Sequence, residues 1–226
     1  MTDTQTGAEA PTYFSHRQIL VILGGLMTGM FLAALDQSIV GTALPRITSD
    51  LNGLDKLSWV VTAYLLSSTA STPHWGKISD LYGRRLIFQA AIVTFIVGSL
   101  LCGFSRNIEE LIAFRALQGM GGGGLMALAF ATIGDVIPPR ERGRSMGYVG
   151  AVFGTASVAG PLLGGGLADG PGWEWIFWLN VPIGIVVLIG VLMTVPETKE
   201  RGGPKGMDLA GTVLVTVGLL GIVFAL

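Results

Sequence analysis

The sequence predicts an all-α integral membrane protein, a six-helix transmembrane bundle followed by the start of a seventh transmembrane helix. Half of the 226 residues are hydrophobic and 13% are charged, whereas a soluble domain carries about 25% charged residues. Seven stretches without a charged side chain follow one another along the chain, and each approaches the ~20 residues that a helix needs to cross a bilayer. Stretches of this length satisfy their backbone hydrogen bonds in lipid by forming helices.

The helix boundaries follow from the positions where charged and turn residues interrupt these stretches. The predicted transmembrane helices lie at about residues 19–43, 57–77, 86–105, 110–135, 145–168, 175–196 and 208–226. The first continues past Asp36 and the fourth begins ahead of Arg115, so each of these two helices carries a charge inside the membrane. The first six form the predicted bundle, residues 18–196.

Polar segments precede and follow this bundle. Residues 1–17 are polar and lack a periodic pattern, which predicts a disordered cytoplasmic tail. Residues 197–207 are charged and rich in Gly and Pro, which predicts a cytoplasmic linker. The last stretch, 208–226, is barely long enough to cross a bilayer, so we expect the chain to be the front part of a longer protein.

Basic residues are distributed unevenly between the connecting segments. Ten of the 14 Lys and Arg residues fall on one side of the predicted membrane, three fall on the other, and Arg115 lies within it. The positive-inside rule therefore predicts a multi-pass protein of the cell membrane with a cytoplasmic N-terminus. Tryptophans then fall near both surfaces, as in an aromatic belt: Trp59, Trp173, Trp175 and Trp178 outside, and Trp75 inside.

Several functional classes are disfavoured by composition. A net charge of −1 argues against a nucleic-acid partner. The single cysteine, Cys102, excludes an internal disulfide and leaves no cysteine-based metal site. Gly121–Gly124 is neither preceded by a strand nor followed by Gly-Lys-Ser/Thr, so it is not a phosphate loop. We expect no metal, no cofactor and no enzymatic activity.

The segment between the second and third helices is short, charged and punctuated by glycine. It lies between two charge-free stretches, at a membrane surface, and pins two helix ends together, which is typical of a gate element. It resembles the G-x-L-A-D-R-x-G-R-K-x-x-L loop of the major facilitator superfamily of secondary transporters. The matching residues are Gly76, Asp80, Gly83, Arg84 and Arg85; the pattern departs at Ile78, Ser79 and Leu81.

Asp36 interrupts the first apolar stretch, where a carboxylate costs about 2.5–3.5 kcal/mol on insertion scales. Asp36 should therefore face the inside of the bundle or a water-filled cavity. Its role there is either to couple proton or substrate transport or to support the structure. The segment Leu35–Pro45 resembles the L-D-x-T-I-V-N-V-A-L-P signature of fourteen-helix drug:proton antiporters within the superfamily. Ser38 stands there for Thr, and Gly41-Thr42 for Asn-Val.

Arg115 is the second charge inside the membrane. Counting residues from the helix ends places Arg115 and Asp36 roughly 8–10 Å below the same membrane surface, so the two can pair. The pair is either a static ion pair or one in which each charge can exchange its partner for a proton or a cation. The surrounding segment resembles the superfamily's L-x-x-x-R-x-x-Q-G-x-G signature, through Leu111, Arg115, Gln118, Gly119 and Gly121.

The fifth helix carries small residues every four positions: Ala156, Gly160, Gly164 and Ala168. Such a face permits close helix packing, and Pro161 weakens one turn. The helix resembles the antiporter signature G-x(8)-G-x(3)-G-P-x(2)-G-G of the superfamily. The matching residues are Gly147, Gly160, Pro161, Gly164 and Gly165, with Ala156 where glycine is usual.

The basic loop before the fifth helix contains Arg142 and Arg144. These arginines either set topology and contact lipid headgroups, or pair with Asp80 to lock an inner gate. At the entry to the sixth helix, Trp173–Gly184 resembles the family segment W-R-W-I-F-W-I-N-V-P-I-G, with Glu174 reversing the usual charge.

Together these resemblances imply the N-terminal half of a proton-coupled exporter of amphipathic drugs or toxic compounds that works by alternating access. The implied partners are a small-molecule substrate, the lipid bilayer and a missing C-terminal six-helix half, and the implied energy source is the proton gradient. Two alternatives stay open. One is a facilitator for a metabolite, amino acid or lipid on the same fold, and the other is an inactive half-unit that binds a membrane partner.

Overall fold

The structure, a computed structural model, describes residues 16–137, 140–195, 217–218 and 221. The predicted linker at 197–207, most of the predicted tail and most of the predicted seventh helix lie outside the described residues. Six α-helices and one short 3₁₀ turn make up the described part of the chain, which contains no strand. The predicted all-α membrane fold with a six-helix bundle is confirmed.

The six helices are labelled α1 to α6 in chain order. Their bounds are α1 His16–Asp50, α2 Leu57–Tyr82, α3 Arg84–Cys102, α4 Ile108–Val136, α5 Arg142–Asp169 and α6 Glu174–Thr194, and the 3₁₀ turn is Leu54–Lys56. Five of them, α1 and α3 to α6, are long and apolar enough to cross a membrane. The remaining helix, α2, is 26 residues long and is rich in serine and threonine.

The largest differences from the predicted helix boundaries lie at the ends of α1 and α2. Helix α1 begins at His16, inside the predicted tail, and continues past residue 43 and through Pro45 to Asp50. The buried Thr48 hydroxyl donates to the carbonyls of Leu44 and Pro45, at 2.9 and 3.2 Å. These bonds add support to the helix beside a proline, which has no N–H to contribute.

The predicted turn between the second and third helices is a single residue. Helix α2 continues through Asp80 to Tyr82, and Gly83 alone connects it to α3. Gly83 has φ 94° and ψ 143°, a backbone conformation that a side chain disfavours and glycine adopts at little cost. The charged motif therefore lies mostly on helix ends rather than in a loop.

Helix α4 is packed closely between α2 and α3 because glycines face both neighbours. A Cβ at Gly119 would lie 2.4 Å from the Tyr64 carbonyl oxygen, and one at Gly121 would lie 2.4 Å from the Phe95 nitrogen. Such approaches are possible only for residues without a side chain, and they are typical of membrane helix interfaces. Close packing places Arg115 and Gln118 of α4 deep in the bundle.

The tryptophan side chains differ in how far they are exposed. Trp59 and Trp175 are each 49% exposed, but Trp173 is buried and packs edge-on against Phe177 with ring centroids 6.2 Å apart. The Trp75 Nε1–H donates to the Met120 carbonyl of α4 at 2.8 Å. Trp173 and Trp75 therefore contact neighbouring helices, and their place in an aromatic belt stays a prediction.

Candidate functional site

Asp36 and Arg115 meet in the centre of the bundle, as their similar predicted depths allow. Arg115 Nη1 lies 2.7 Å from Asp36 Oδ2. The two residues are 0% and 1% exposed. Desolvating two charges costs several kcal/mol per ion and is offset only where the geometry is good and further hydrogen bonds complete the site.

Two side-chain amides supply those further hydrogen bonds. Asp36 Oδ1 accepts from Gln118 Nε2 at 2.8 Å and from Asn180 Nδ2 at 2.7 Å. Gln118 also bridges the pair, since its Oε1 accepts from Arg115 Nη1 at 2.8 Å. The carboxylate thus receives donors from α4 and α6, and both of its oxygens are satisfied.

A second layer surrounds this network. Asn180 Nδ2 also donates to Ser99 Oγ at 2.9 Å, and the Ser99 hydroxyl donates to the Phe177 carbonyl at 2.8 Å, which joins α3 to α6. The Arg115 guanidinium lies 4.3 Å from the centroid of the Tyr64 ring and 5.9 Å from that of Phe177. Cation–π attraction of this kind is strongest where water is excluded.

Sequence reasoning found Asp36, Arg115 and Gln118 but assigned no role to Asn180, Ser99 or Tyr64. A signal existed for Asn180, because an amide within the apolar α6 needs a hydrogen-bond partner. Serine and tyrosine occur in membrane helices without such a requirement being visible in the sequence. Their contribution depends on which face each helix turns to Asp36.

The charged motif at the α2–α3 junction forms a second network, at the end of the bundle where these helices meet. Arg84 Nη2 pairs with Asp80 Oδ1 at 2.7 Å, and Arg84 Nε pairs with Asp135 Oδ2 on α4 at 3.0 Å. Arg84 Nη1 donates to Ser79 Oγ at 2.6 Å. One guanidinium therefore ties α2, α3 and α4 together, and Asp135 is a member that sequence reasoning missed.

Of the remaining motif residues at this end, Gly76 joins the network, because its carbonyl accepts from the Ser79 hydroxyl at 2.6 Å. Arg85 Nη2 donates to the Leu192 carbonyl on α6, and Gly76 has open space around its Cα. Arg142 donates to the carbonyls of Gly134 and Ile137, at 2.7 and 3.2 Å, where α4 ends. Arg144 is exposed. The structure thus pairs Asp80 with Arg84 and gives Arg142 a capping role on α4.

The antiporter-like motif of α5 divides into two faces. A Cβ at Gly160 would lie 2.1 Å from Ser38 Oγ, and one at Gly164 would lie 2.7 Å from the Ile39 carbonyl oxygen. Gly147 and Gly165 have nothing within 4 Å, and Pro161 is exposed. Two of the five residues therefore seat α5 against α1, next to Asp36, while the others lie on open faces.

The model of the Major Facilitator Superfamily matches residues 26–225. The chain belongs to this superfamily. This membership confirms the resemblance stated from the sequence motifs, and with the apolar helices it makes the chain a multi-pass membrane protein.

Among superfamily members with known names, the chain is similar to multidrug transporters. It is 42% identical over 212 residues to the multidrug transporter protein MdtP of Bacillus subtilis, which covers 94% of this chain and 39% of that protein. It is 41% identical over 224 residues to multidrug resistance protein 3 of the same species, covering 99% and 42%. The chain thus spans about two fifths of the length of these relatives.

Solved structures of the superfamily share the fold. The proton:xylose symporter XylE superposes with a TM-score of 0.73 at 16% identity, covering 92% of this chain and 50% of that one. The human organic anion transporter MFSD10 superposes with a TM-score of 0.71 at 19% identity, covering 89% and 54%. The six-helix bundle of this chain therefore corresponds to about half of a complete superfamily transporter.

Proposed function

We propose that this superfamily chain is the N-terminal part of a proton-coupled exporter of amphipathic drugs that works by alternating access. Its N-terminus would lie in the cytoplasm of a cell membrane, and a C-terminal six-helix half would complete the transport path. The observation that carries the proposal is the buried Asp36–Arg115 pair, whose atoms lie 2.7 Å apart, in a chain over 40% identical to two proteins named for multidrug transport or resistance.

The pair supplies a coupling mechanism because its stability depends on charge. An ionised Asp36 attracts Arg115, and a proton on Asp36 removes that attraction. A cationic substrate can likewise satisfy the carboxylate in place of the guanidinium. Proton and substrate would then compete for one negative site, which is the requirement for exchange across a membrane.

Gln118 fits a role in this exchange. It donates to Asp36 and accepts from Arg115, so it keeps one hydrogen bond to each partner if the direct ion pair opens. Gly119 next to it lets α4 approach α2, which holds the guanidinium over Tyr64. The glycine-rich helix α4, which packs closely between α2 and α3, thus also positions Arg115 beside Asp36.

The proposal predicts that Asp36→Asn abolishes drug-induced proton release. Asn keeps the size of the side chain but carries no negative charge and neither takes up nor releases a proton. The measurement is the fluorescence of a pH-sensitive dye in energised inverted vesicles containing the native polypeptide, on addition of lipophilic cations. Asp50→Asn is the matched control, because Asp50 lies on the same helix and pairs with Arg46 at the surface.

Wild-type coupling in Asp36→Asn would contradict the proton-site assignment. A protein that ignores lipophilic cations but takes up protons with a metabolite would be a facilitator on the same fold. An intact mass of 23.7 kDa for the native polypeptide, with co-purification of a second six-helix protein and no transport alone, would identify a half-unit that binds a membrane partner.

A further inference from the structure

Asn180 has unused hydrogen-bonding capacity inside the buried network. Its Nδ2 donates one hydrogen to Asp36 Oδ1 and one to Ser99 Oγ. Its Oδ1 is buried and accepts no hydrogen bond from the described residues. An unpaired buried acceptor costs about 1–3 kcal/mol. This orientation of the amide therefore suits an ionised carboxylate, which only accepts hydrogen bonds.

Protonation of Asp36 would change the hydrogen bond that Asp36 needs from Asn180. A carboxylic acid carries a hydroxyl that donates, so it needs an acceptor beside it. Gln118 is poorly placed to provide one, because its Oε1 already accepts from Arg115 Nη1 at 2.8 Å and lies 3.7 Å from Cys102 Sγ. Asn180 holds an unused acceptor on a group whose terminal torsion is broad and roughly two-fold.

We infer that Asn180 is a positioning residue for Asp36 whose side-chain amide turns over when Asp36 takes up a proton. The inference rests on the proposed proton site and deepens it. After the turn, Asn180 Oδ1 accepts the Asp36 hydroxyl, and both hydrogen bonds that Nδ2 donated, to Asp36 Oδ1 and to Ser99 Oγ, are lost. The Ser99 hydroxyl then turns from the Phe177 carbonyl to the same Oδ1. Protonation of Asp36 on α1 thereby changes the hydrogen bonds that join Ser99 of α3 to α6.

The charged and titratable groups around Asp36 point to this carboxylate as the origin of the response. Arg115 of α4 contacts it directly, and Tyr64 of α2 and Cys102 of α3 interact with it electrostatically. Arginine keeps its proton in proteins. The ordinary pKa values of tyrosine and cysteine are ~10 and ~8.5. Helix α6 contributes the neutral Asn180, and α5 approaches through Gly160 and Gly164.

The test is a pH-difference infrared spectrum of the full chain in lipid nanodiscs, with a heavy carbon isotope in the asparagine side-chain carbonyl. The asparagines of the chain are Asn52, Asn107 and Asn180. The first follows α1 and the second caps α4, so only Asn180 lies in the buried network. The chain has 15 Asp and Glu residues, so the Asp36 acid band is the part of the carboxylic-acid signal that Asp36→Asn removes. On acidification we expect this band together with a shift of the labelled carbonyl to lower wavenumber, because an accepted hydrogen bond weakens the C=O bond.

The variants assign each band. Asp36→Asn should lose both the acid band and the carbonyl shift, and Asn180→Leu should lose the shift and move the acid band to higher wavenumber. Asn52→Gly is the matched control and should retain both, since Asn52 has a positive φ of 52° that glycine accepts.

Two results would overturn the inference in distinguishable ways. A wild-type acid band without any change in the labelled carbonyl would leave the proton site standing and remove the amide switch. An acid signal that is the same in wild type and in Asp36→Asn would remove the proton site and the switch with it. The labelled carbonyl is read from the wild-type chain, so the test of the switch does not depend on the folding of a variant.

Discussion

Asp36 accepts three hydrogen bonds, one from a guanidinium and two from amides, and this explains how a carboxylate with no exposed surface is tolerated. Removing the positive partner is expected to harm the protein more than removing the whole pair. A buried ion pair often contributes little net stability, whereas a buried charge left alone is strongly destabilising. The residues of the pair therefore constrain each other.

Arg115→Met is predicted to destabilise the folded chain by about 3–5 kcal/mol, because it leaves Asp36 charged and unpaired. The double variant Asp36→Asn with Arg115→Met should recover most of that loss, since neither charge remains. Thermal unfolding in detergent micelles measures both effects, with each variant compared with wild type at the same pH. A double variant at least as unstable as Arg115→Met alone would contradict this account of the pair.

Helix α5 shows how glycine positions serve different purposes along one element. Gly160 and Gly164 allow the backbone of α5 to approach α1 beside Asp36, whereas Gly154 has nothing within 4 Å of a built Cβ. A methyl group at Gly160 would meet the Ser38 side chain at 2.1 Å. A single CH₂ unit thus decides whether α5 keeps its position against α1 beside Asp36.

Gly160→Ala is predicted to destabilise the bundle by about 1–3 kcal/mol through overpacking against α1. Gly154→Ala on the same helix should be neutral or stabilising by up to about 1 kcal/mol, because alanine favours the helix and meets no neighbour. Unfolding midpoints of the two variants in micelles give the comparison. Equal destabilisation by both substitutions would show that the α1–α5 contact is not the cause.

At the scale of the whole molecule, the sequence predicts the number and order of the helices because charge-free stretches separated by charged turns define them. The pairing of Asp36 with Arg115 also follows, since depth along two helices is simple arithmetic. The roles of Asn180, Ser99 and Asp135 do not follow, because helices apolar on all sides carry no periodic signal of which face meets which neighbour. The continuation of α1 past Pro45 also escapes prediction, since it depends on the buried Thr48 hydroxyl.

The two ends of the bundle are tied differently, and this difference has a measurable consequence. At one end, Lys56 hydrogen-bonds to Glu109 at the start of α4, and this bond raises the pKa of Lys56 above its ordinary value. That pair is exposed and should contribute little to stability. At the other end, Arg84 of α3 is largely buried and pairs with residues of α2 and α4, so it should be the stronger tie.

Arg84→Gln is predicted to loosen the junction of α2, α3 and α4 while leaving the distant Asp36 network intact. Glutamine removes the charge that Asp80 and Asp135 share, and two carboxylates would then lie near each other without a cation between them. Hydrogen exchange should therefore accelerate in peptides covering residues 76–90 and 130–137, and stay unchanged around residue 36. Arg46→Gln is the control, because Arg46 pairs only with Asp50 among the described ion pairs, at an exposed position on α1. Protection that is the same in Arg84→Gln and in wild type would mean that helix packing alone holds this end of the bundle closed.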